Sequence, residues 1–199
     1  MTDDKTIEYY DKNAKTFFDE TCSSNMSHLY DSFLKYIPKN GTILDLGCGS
    51  GRDSKAFLDR GYQVTAVDAS QQLCCLASAF IGQEVLCRKF EDLNFCDSFD
   101  GIWACASLLH VNKEDMPRIL RKLSLALKRE GVLYASFKYG DSQRTKGLRF
   151  FNDYTEADLD SLLCPETGFC CVEWSITGDV REGREGEKWL NFVARKWRK

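Results

Sequence analysis

Two histidines, no Cys-x-x-Cys spacing, no internal repeat and no Pro/Gly-rich linker mark this chain by what it lacks. Each absence removes a class of protein. With only His28 and His110 outside any finger-like array, and ten cysteines scattered or in the adjacent pairs Cys74-Cys75 and Cys170-Cys171, the spacing of a structural zinc site does not occur and no metal is expected. No apolar run approaches the roughly 18 residues of a membrane helix, so no membrane span is expected. The start, "MTDDKTIEYYDKNAK", has neither the basic beginning nor the apolar centre of a signal peptide, which makes the cytoplasm the expected location. An excess of positive charge is missing too: 27 basic against 30 acidic residues leave a net charge of −3, without the electrostatic footprint of a nucleic-acid binder. Arg195, Lys196, Arg198 and Lys199 do crowd the C-terminus, where a solvated end accounts for them better than a binding patch.

What remains is the composition of one ordinary folded domain spanning residues 1–199. The cysteines fall at the ends of apolar runs, Cys87 and Cys105 closing two of them and Cys170 and Cys171 opening a third. They are expected to be core thiols.

The most informative stretch is "TILDLGCGSGRDSKAFLDRGYQVTAVDAS", Thr42 to Ser70. Thr42 to Leu46 is an apolar run of strand length, Ser54 to Arg60 has helical spacing, Gly61 is a helix stop, and Tyr62 to Val67 is a β-branched second strand. The order strand, glycine turn, helix, strand is a right-handed βαβ unit. Gly47, Gly49 and Gly51 cost backbone entropy and add nothing to a core, so a tight turn with close ligand approach must require them. Asp68 ends the second strand, where a carboxylate can accept two hydrogen bonds from a ribose diol. The glycines read G-x-G-x-G, one residue short of the dinucleotide fingerprint G-x-G-x-x-G.

Alternation continues downstream. The spacing predicts a helix over about Ser70 to Phe80, strands near Gln83 to Cys87 and Gly101 to Cys105, and a helix from about Lys113 to Leu127 with Ile119, Leu120, Leu123 and Leu127 on one face. Gly131 precedes the strand "VLYASF", and "TEADLDSLL" is a further helix in which Thr155 and Asp158 make a capping-box pattern. Two late strands, about Phe169 to Thr177 and Trp189 to Lys196, close a mostly parallel, doubly wound α/β sheet with helices on both faces. In such a sheet the ligand cleft lies beyond the carboxyl ends of the strands, at the turns after Leu46, Val67, Cys87, Cys105 and Phe137.

"ILDLGCGSGRDS" with "VTAVDAS", followed by "FEDL", "FDGIWACASLLHV" and "GVLYASFKYG", resembles the nucleoside-binding motifs of class I S-adenosylmethionine-dependent methyltransferases, of the small single-domain tellurite-resistance and metabolite type, from about Tyr9 onward. The resemblance implies a Rossmann-like seven-stranded sheet in the order 3-2-1-4-5-7-6 with the last strand antiparallel, and S-adenosyl-L-methionine as cofactor. It also implies that Asp45, Gly47, Cys48, Gly49 and Gly51 surround the methionine part, that Asp68 with Ala69 holds the ribose, and that Phe90, Glu91 and Asp92 meet the adenine. Lys89 stands where the family often has an aspartate against the adenine amine. Cys105 and Ser107 end the fourth strand, where the resemblance brings cofactor and acceptor together.

His110 follows directly and is the candidate general base, its ordinary pKa being near neutrality; the alternative is a histidine that only shapes the loop. Residues 138–154 form the longest loop candidate, an acceptor lid in which Lys138, Tyr139, Arg144 and Arg149 either bind an anionic group or are simply solvated; Arg52 joins them as a substrate-side cation. The helical segment 1–38 places Tyr9, Tyr10 and Phe17 either over the cofactor or against the core. The expected enzyme therefore methylates a small molecule. Its competitors are an RNA or protein methyltransferase and a nucleoside-binding module without catalysis.

Overall fold

Ile43 and Leu44 are neighbours in β1 (Thr42–Leu46), both fully buried, yet they belong to different apolar clusters. Side chains alternate across a strand, so β1 carries core on both faces, as parallel strands covered by helices do. A computed structural model describes residues 4–181, 183, 184 and 186–197. Its other strands are β2 (Gln63–Asp68), β3 (Val85–Cys87), β4 (Phe99–Ala104), β5 (Leu127–Lys138), the hairpin pair β6 (Gln143–Lys146) and β7 (Arg149–Asn152), β8 (Phe169–Gly178) and β9 (Lys188–Lys196). The large sheet runs β3-β2-β1-β4-β5-β9-β8, with β9 antiparallel to both its neighbours. Counted within that sheet alone, this is 3-2-1-4-5-7-6, the doubly wound order that the motifs imply.

The helices are α1 (Asp4–Lys12), α2 (Ala14–Thr21), α3 (Ser27–Leu34), α4 (Arg52–Asp59), α5 (Gln71–Ile81), α6 (Met116–Ala126) and α7 (Leu159–Leu162). On one face Phe33 of α3 and Phe57 of α4 pack against Trp103 and Tyr134, whose rings stack 3.8 Å apart across the paired strands β4 and β5. Gly101 permits this, since a Cβ there would lie 2.5 Å from the Phe33 ring. On the other face Ile119, Leu120 and Leu123 of α6 cover Leu44, Ile102 and Leu133. Burying each such side chain contributes about 1.5–3 kcal/mol. Ser70 caps α5 by accepting from Leu73 N, and Gly82 ends it in the left-handed region.

Several sequence expectations need correction. α6 begins at Met116, because Lys113 to Asp115 form a turn and Pro117 sits in the first helical turn, where its missing N–H is harmless. It stops at Ala126 because Leu127 already pairs with Phe99 in β5. "TEADLDSLL" is a single 3-10 turn, Glu156–Asp158, followed by the short α7; the capping box is present, with Asp158 Oδ2 accepting from Thr155 N at 2.8 Å. Residues 138–154 are not a structureless lid: they fold into the β6–β7 hairpin about Gly147 (φ +62°). No apolar alternation announced β6, all four of whose residues are polar and exposed. Of the expected core thiols, Cys105 and Cys170 are only half-buried and Cys87 and Cys171 exposed, since strand ends emerge at the sheet's edges; Cys48 and Cys74 are the buried ones. Within residues 1–38, α1 and α2 lie against α5, and α1 also meets β7, whereas α3 belongs to the core. Among the described residues no helix is long and apolar enough to cross a membrane, and no group of three or more His, Cys, Asp and Glu side chains is arranged to hold a metal.

Candidate functional site

The three glycines all lie in the left-handed region, with φ of +73° at Gly47, +57° at Gly49 and +77° at Gly51. That conformation bends the chain sharply from β1 into α4 and aims its amides at the neighbouring strand end. Gly47 N and Cys48 N both donate to Val67 O, at 2.8 and 3.0 Å. Gly49 N donates to Asp68 Oδ2 and Ser70 N to Asp68 Oδ1, each at 2.9 Å. A Cβ on Gly47 would meet Ser107 Cβ at 2.5 Å, so the turns after β1, β2 and β4 converge on one spot. Burial raises the Asp68 pKa above the usual carboxylate range, against the amides that lower it. The Ala69 amide is a third backbone donor to this carboxylate.

Beneath the turn lies a buried acidic pair. Asp45 accepts from Ser54 Oγ at 2.6 Å, and burial together with the nearby Asp53 raises its pKa. Asp53 is also buried, but the Arg52 guanidinium holds it ionised through bonds of 2.6 and 2.9 Å, while Tyr30 Oη and Trp103 Nε1 donate to it. Arg52 is therefore committed to Asp53 rather than free to bind an acceptor. At the end of β4, Ala106 takes the left-handed conformation (φ +53°), rare for a residue with a Cβ, and its N–H is held by Ser136 Oγ at 2.8 Å. Strain of this kind concentrates where a site must be pre-shaped.

From this turn one cavity of about 440 Å³ runs under α1 to the β6–β7 hairpin and the β8–β9 connection. At its middle His110 is buried and doubly engaged. A carbonyl only accepts, so Nδ1 must carry the proton that meets Phe150 O at 2.6 Å; Nε2 then accepts from Tyr10 Oη at 3.0 Å. Burial pushes the His110 pKa down to about 4. The histidine is neutral near pH 7 and its one lone pair is occupied, which contradicts the expectation of a poised base titrating near 6.5. The Arg149 guanidinium lies 4.2 Å over the Tyr9 ring and 5.3 Å over Phe151, hydrogen-bonds Tyr10, and leaves its Nε without a partner. Ser107 Oγ and Asp153 Oδ1 are likewise buried and unpartnered.

The other expected cations are mostly neutralised. Lys138 pairs with Glu187 and, at 3.3 Å, with Asp179; Arg144 pairs with Asp153. Asp179 also holds Arg181 through two bonds and Trp189 Nε1 at 3.0 Å, and despite burial these donors keep it well below the usual carboxylate range. Lys146 and Arg149 line the cavity with no carboxylate partner among the described residues.

Gly47, Cys48, Gly49, Asp68, Ala69, Phe90, Cys105, Ser107, His110, Tyr10, Phe17, Arg52, Lys138, Tyr139, Arg144 and Arg149 all line this cavity. Five expected residues do not. Asp45 lies below it, Gly51 packs on Ala77 and Ile81, Glu91 and Asp92 sit in a 3-10 turn behind Phe90, and Tyr9 lies beneath Arg149. Asp53, Ser136, Asp179, Arg181 and Trp189 line it as well, none of them among the expected site residues. A polar residue inside an apolar strand flags Ser136 in "VLYASF"; nothing local flags the β8–β9 residues.

Residues 44–135 match the family described as a methyltransferase domain. Over 152 residues the chain is 32% identical to YqeM of Bacillus subtilis (strain 168), whose methyltransferase activity is provisionally assigned; the match covers 68% of this chain and 58% of that protein. Over 114 residues it is 33% identical to a ubiquinone biosynthesis O-methyltransferase of Coxiella burnetii (strain Dugway 5J108-111), covering 52% of this chain and 48% of the relative. The chain thus spans only about half the length of these relatives. Its fold matches the Burkholderia thailandensis 1,6-didemethyltoxoflavin-N1-methyltransferase, solved with 1,6-didemethyltoxoflavin and S-adenosylhomocysteine, with a TM-score of 0.77 at 24% identity over 96% of this chain and 85% of that one. That likeness is one of fold.

Proposed function

We propose, from the premise that the chain belongs to the class I S-adenosylmethionine-dependent methyltransferase family, that it transfers a methyl group to a small, anionic acceptor. The residues at the glycine turn fit the cofactor. The Asp68 carboxylate lines the cavity as an acceptor for a ribose diol, Gly47 and Gly49 leave backbone bare where a Cβ would intrude, and the Phe90 ring lines the same wall. When bound there, S-adenosylmethionine supplies a sulfonium methyl, already a good electrophile.

The chain's own residues then bind, orient and exclude water. Tyr10 and Phe17 close the cavity from the N-terminal helices. Neutral His110 holds the Tyr10 phenol and the Phe150 carbonyl, so α1 and the hairpin keep one spacing. With its lone pair occupied, His110 acts by position, and methyl transfer proceeds by alignment, the acceptor proton leaving to water. Arg149 and Lys146 supply the unneutralised positive charge facing the acceptor's end.

The observation that carries this reading is the continuity of one cavity of about 440 Å³ from Asp68 to Arg149, a volume for a small ligand rather than a folded RNA. The didemethyltoxoflavin enzyme, of the same fold, was solved with 1,6-didemethyltoxoflavin bound. The test incubates the chain with methyl-labelled S-adenosylmethionine and, separately, a metabolite extract, bulk tRNA and an unfolded-protein pool. Label is expected in the low-molecular-mass fraction. Label in tRNA or protein instead would overturn the small-molecule acceptor.

A further inference from the structure

Two thiols meet at the back of the nucleoside turn. Cys74, on the first turn of α5, is buried and donates to Asp68 O at 3.5 Å. Cys87, the last residue of β3, is exposed, pairs in register with Asp68, and donates to Ala69 O at 3.7 Å. The two thiols serve the carbonyls of adjacent residues, in the segment whose side chains line the cavity. Other exposed cysteines are differently placed: Cys75 meets Gln71, and Cys171 adjoins Cys170 in a strand, where neighbouring side chains point to opposite faces.

We propose that Cys74 and Cys87 are an oxidative modification site, an accessible thiol with a buried resolving partner, whose disulfide loosens the nucleoside-binding turn. A peroxide is the oxidant. The Cys87 thiolate attacks a peroxide oxygen, the O–O bond breaks, and Cys87 becomes a sulfenic acid with hydroxide as leaving group. Cys74 sulfur then attacks the Cys87 sulfur, the S–O bond breaks, and water leaves with the Cys74 proton. Two thiols have been oxidised and one hydrogen peroxide reduced to two waters. Burial raises the Cys74 pKa, so the second step is the slow one and depends on the enforced proximity.

A disulfide has no proton to donate. Closing it deprives Asp68 O and Ala69 O of their thiol donors and pulls β3 toward α5 across the end of β2. Asp68 and Ala69 then lose part of the support that orients them toward the cavity, and nucleoside affinity falls several-fold. This consequence rests on the cofactor reading of the turn; the disulfide does not.

The experiment treats the full chain with a small excess of hydrogen peroxide, blocks remaining thiols with N-ethylmaleimide under denaturing conditions, and maps unreduced peptides by mass spectrometry. A Cys74–Cys87 peptide is expected as the main cross-link, reversed by dithiothreitol and absent in Cys87→Ser. In parallel, calorimetric titration with S-adenosylmethionine should show several-fold weaker binding after oxidation of the parent chain and no change in Cys87→Ser. Cys87 recovered as a sulfinic acid, or joined to another cysteine while Cys74 stays free, would overturn the pairing. A cross-link that forms without altering affinity would overturn its effect on the turn. A reduced chain that binds no S-adenosylmethionine refutes the proposed function instead, and the peptide map still decides the disulfide.

Discussion

The two ends of the cavity are built from different materials. At the cofactor end the contacts come from backbone: left-handed glycines, amides clamped to Val67 O, and one carboxylate held by backbone N–H groups. At the acceptor end they come from long side chains in ion pairs and ring contacts, carried by a hairpin and by the β8–β9 connection. The first arrangement is pre-organised by the sheet, since strand ends cannot shift without breaking ladders. The second is set by which side chains meet rather than by ladders, although a pair such as Arg144 with the buried Asp153 is costly to break. A fold that keeps one cofactor and changes acceptors needs this division.

The contrast breaks most sharply at Gly47. A Gly47→Val chain places a branched side chain at φ +73° and against Ser107, so cofactor binding should vanish and thermal unfolding should come markedly earlier. Normal calorimetric binding by this variant would move the cleft elsewhere.

His110 supplies the next largest effect, on stability. Its folded pKa of about 4 lies below the unfolded 6.5, so between these values the unfolded chain holds the extra proton. Stability is unaffected above pH 6.5 and falls as pH drops toward 4, by about 3 kcal/mol in all. Denaturant titrations of the parent and of His110→Gln across that window should converge at low pH; parallel curves would refute the assignment.

At the cofactor end, Asp68→Ala should weaken S-adenosylmethionine by about 1.5–3 kcal/mol while the acceptor KM holds. Because burial raises the Asp68 pKa and binding needs the carboxylate, affinity is full above that raised pKa and declines as pH falls through it. Calorimetry at several pH values reads this directly. At the acceptor end, Arg149→Ala should raise the acceptor KM by about tenfold and leave cofactor affinity intact. Equal losses for both ligands would mean that the two ends are not separable.

The smallest expected effect is on the chemical step. On the proposed positioning role of His110, His110→Gln should keep more than about a tenth of wild-type turnover, and the rate should show no inflection near pH 6.5. A loss of about a hundredfold or more, with such an inflection in the parent, would restore the histidine as a base.

The cofactor end was legible beforehand because its signal is local. Glycines at Gly47, Gly49 and Gly51 and an aspartate closing a strand have one economical explanation, and parallel order follows from strand and helix alternation. Even so, Asp45 and Gly51 proved to support the turn from behind rather than to line the cavity. The acceptor end was not legible to the same degree. Lys138 and Arg144 are visible as charges, but their neutralisation by Glu187, Asp179 and Asp153 needs elements 9 to 49 residues apart to meet.

By itself, then, the sequence determined the βαβ unit and the alternation of a mostly parallel sheet, because turn geometry and hydrophobic period act between residues close along the chain, while the strand order came as what the family resemblance implies. Tertiary structure alone decided that Asp179 gathers Lys138 and Trp189, and that His110 is neutral. Those outcomes depend on burial and on which charge is brought to face which. Both are properties of the folded space around a residue and are invisible in its neighbours along the chain.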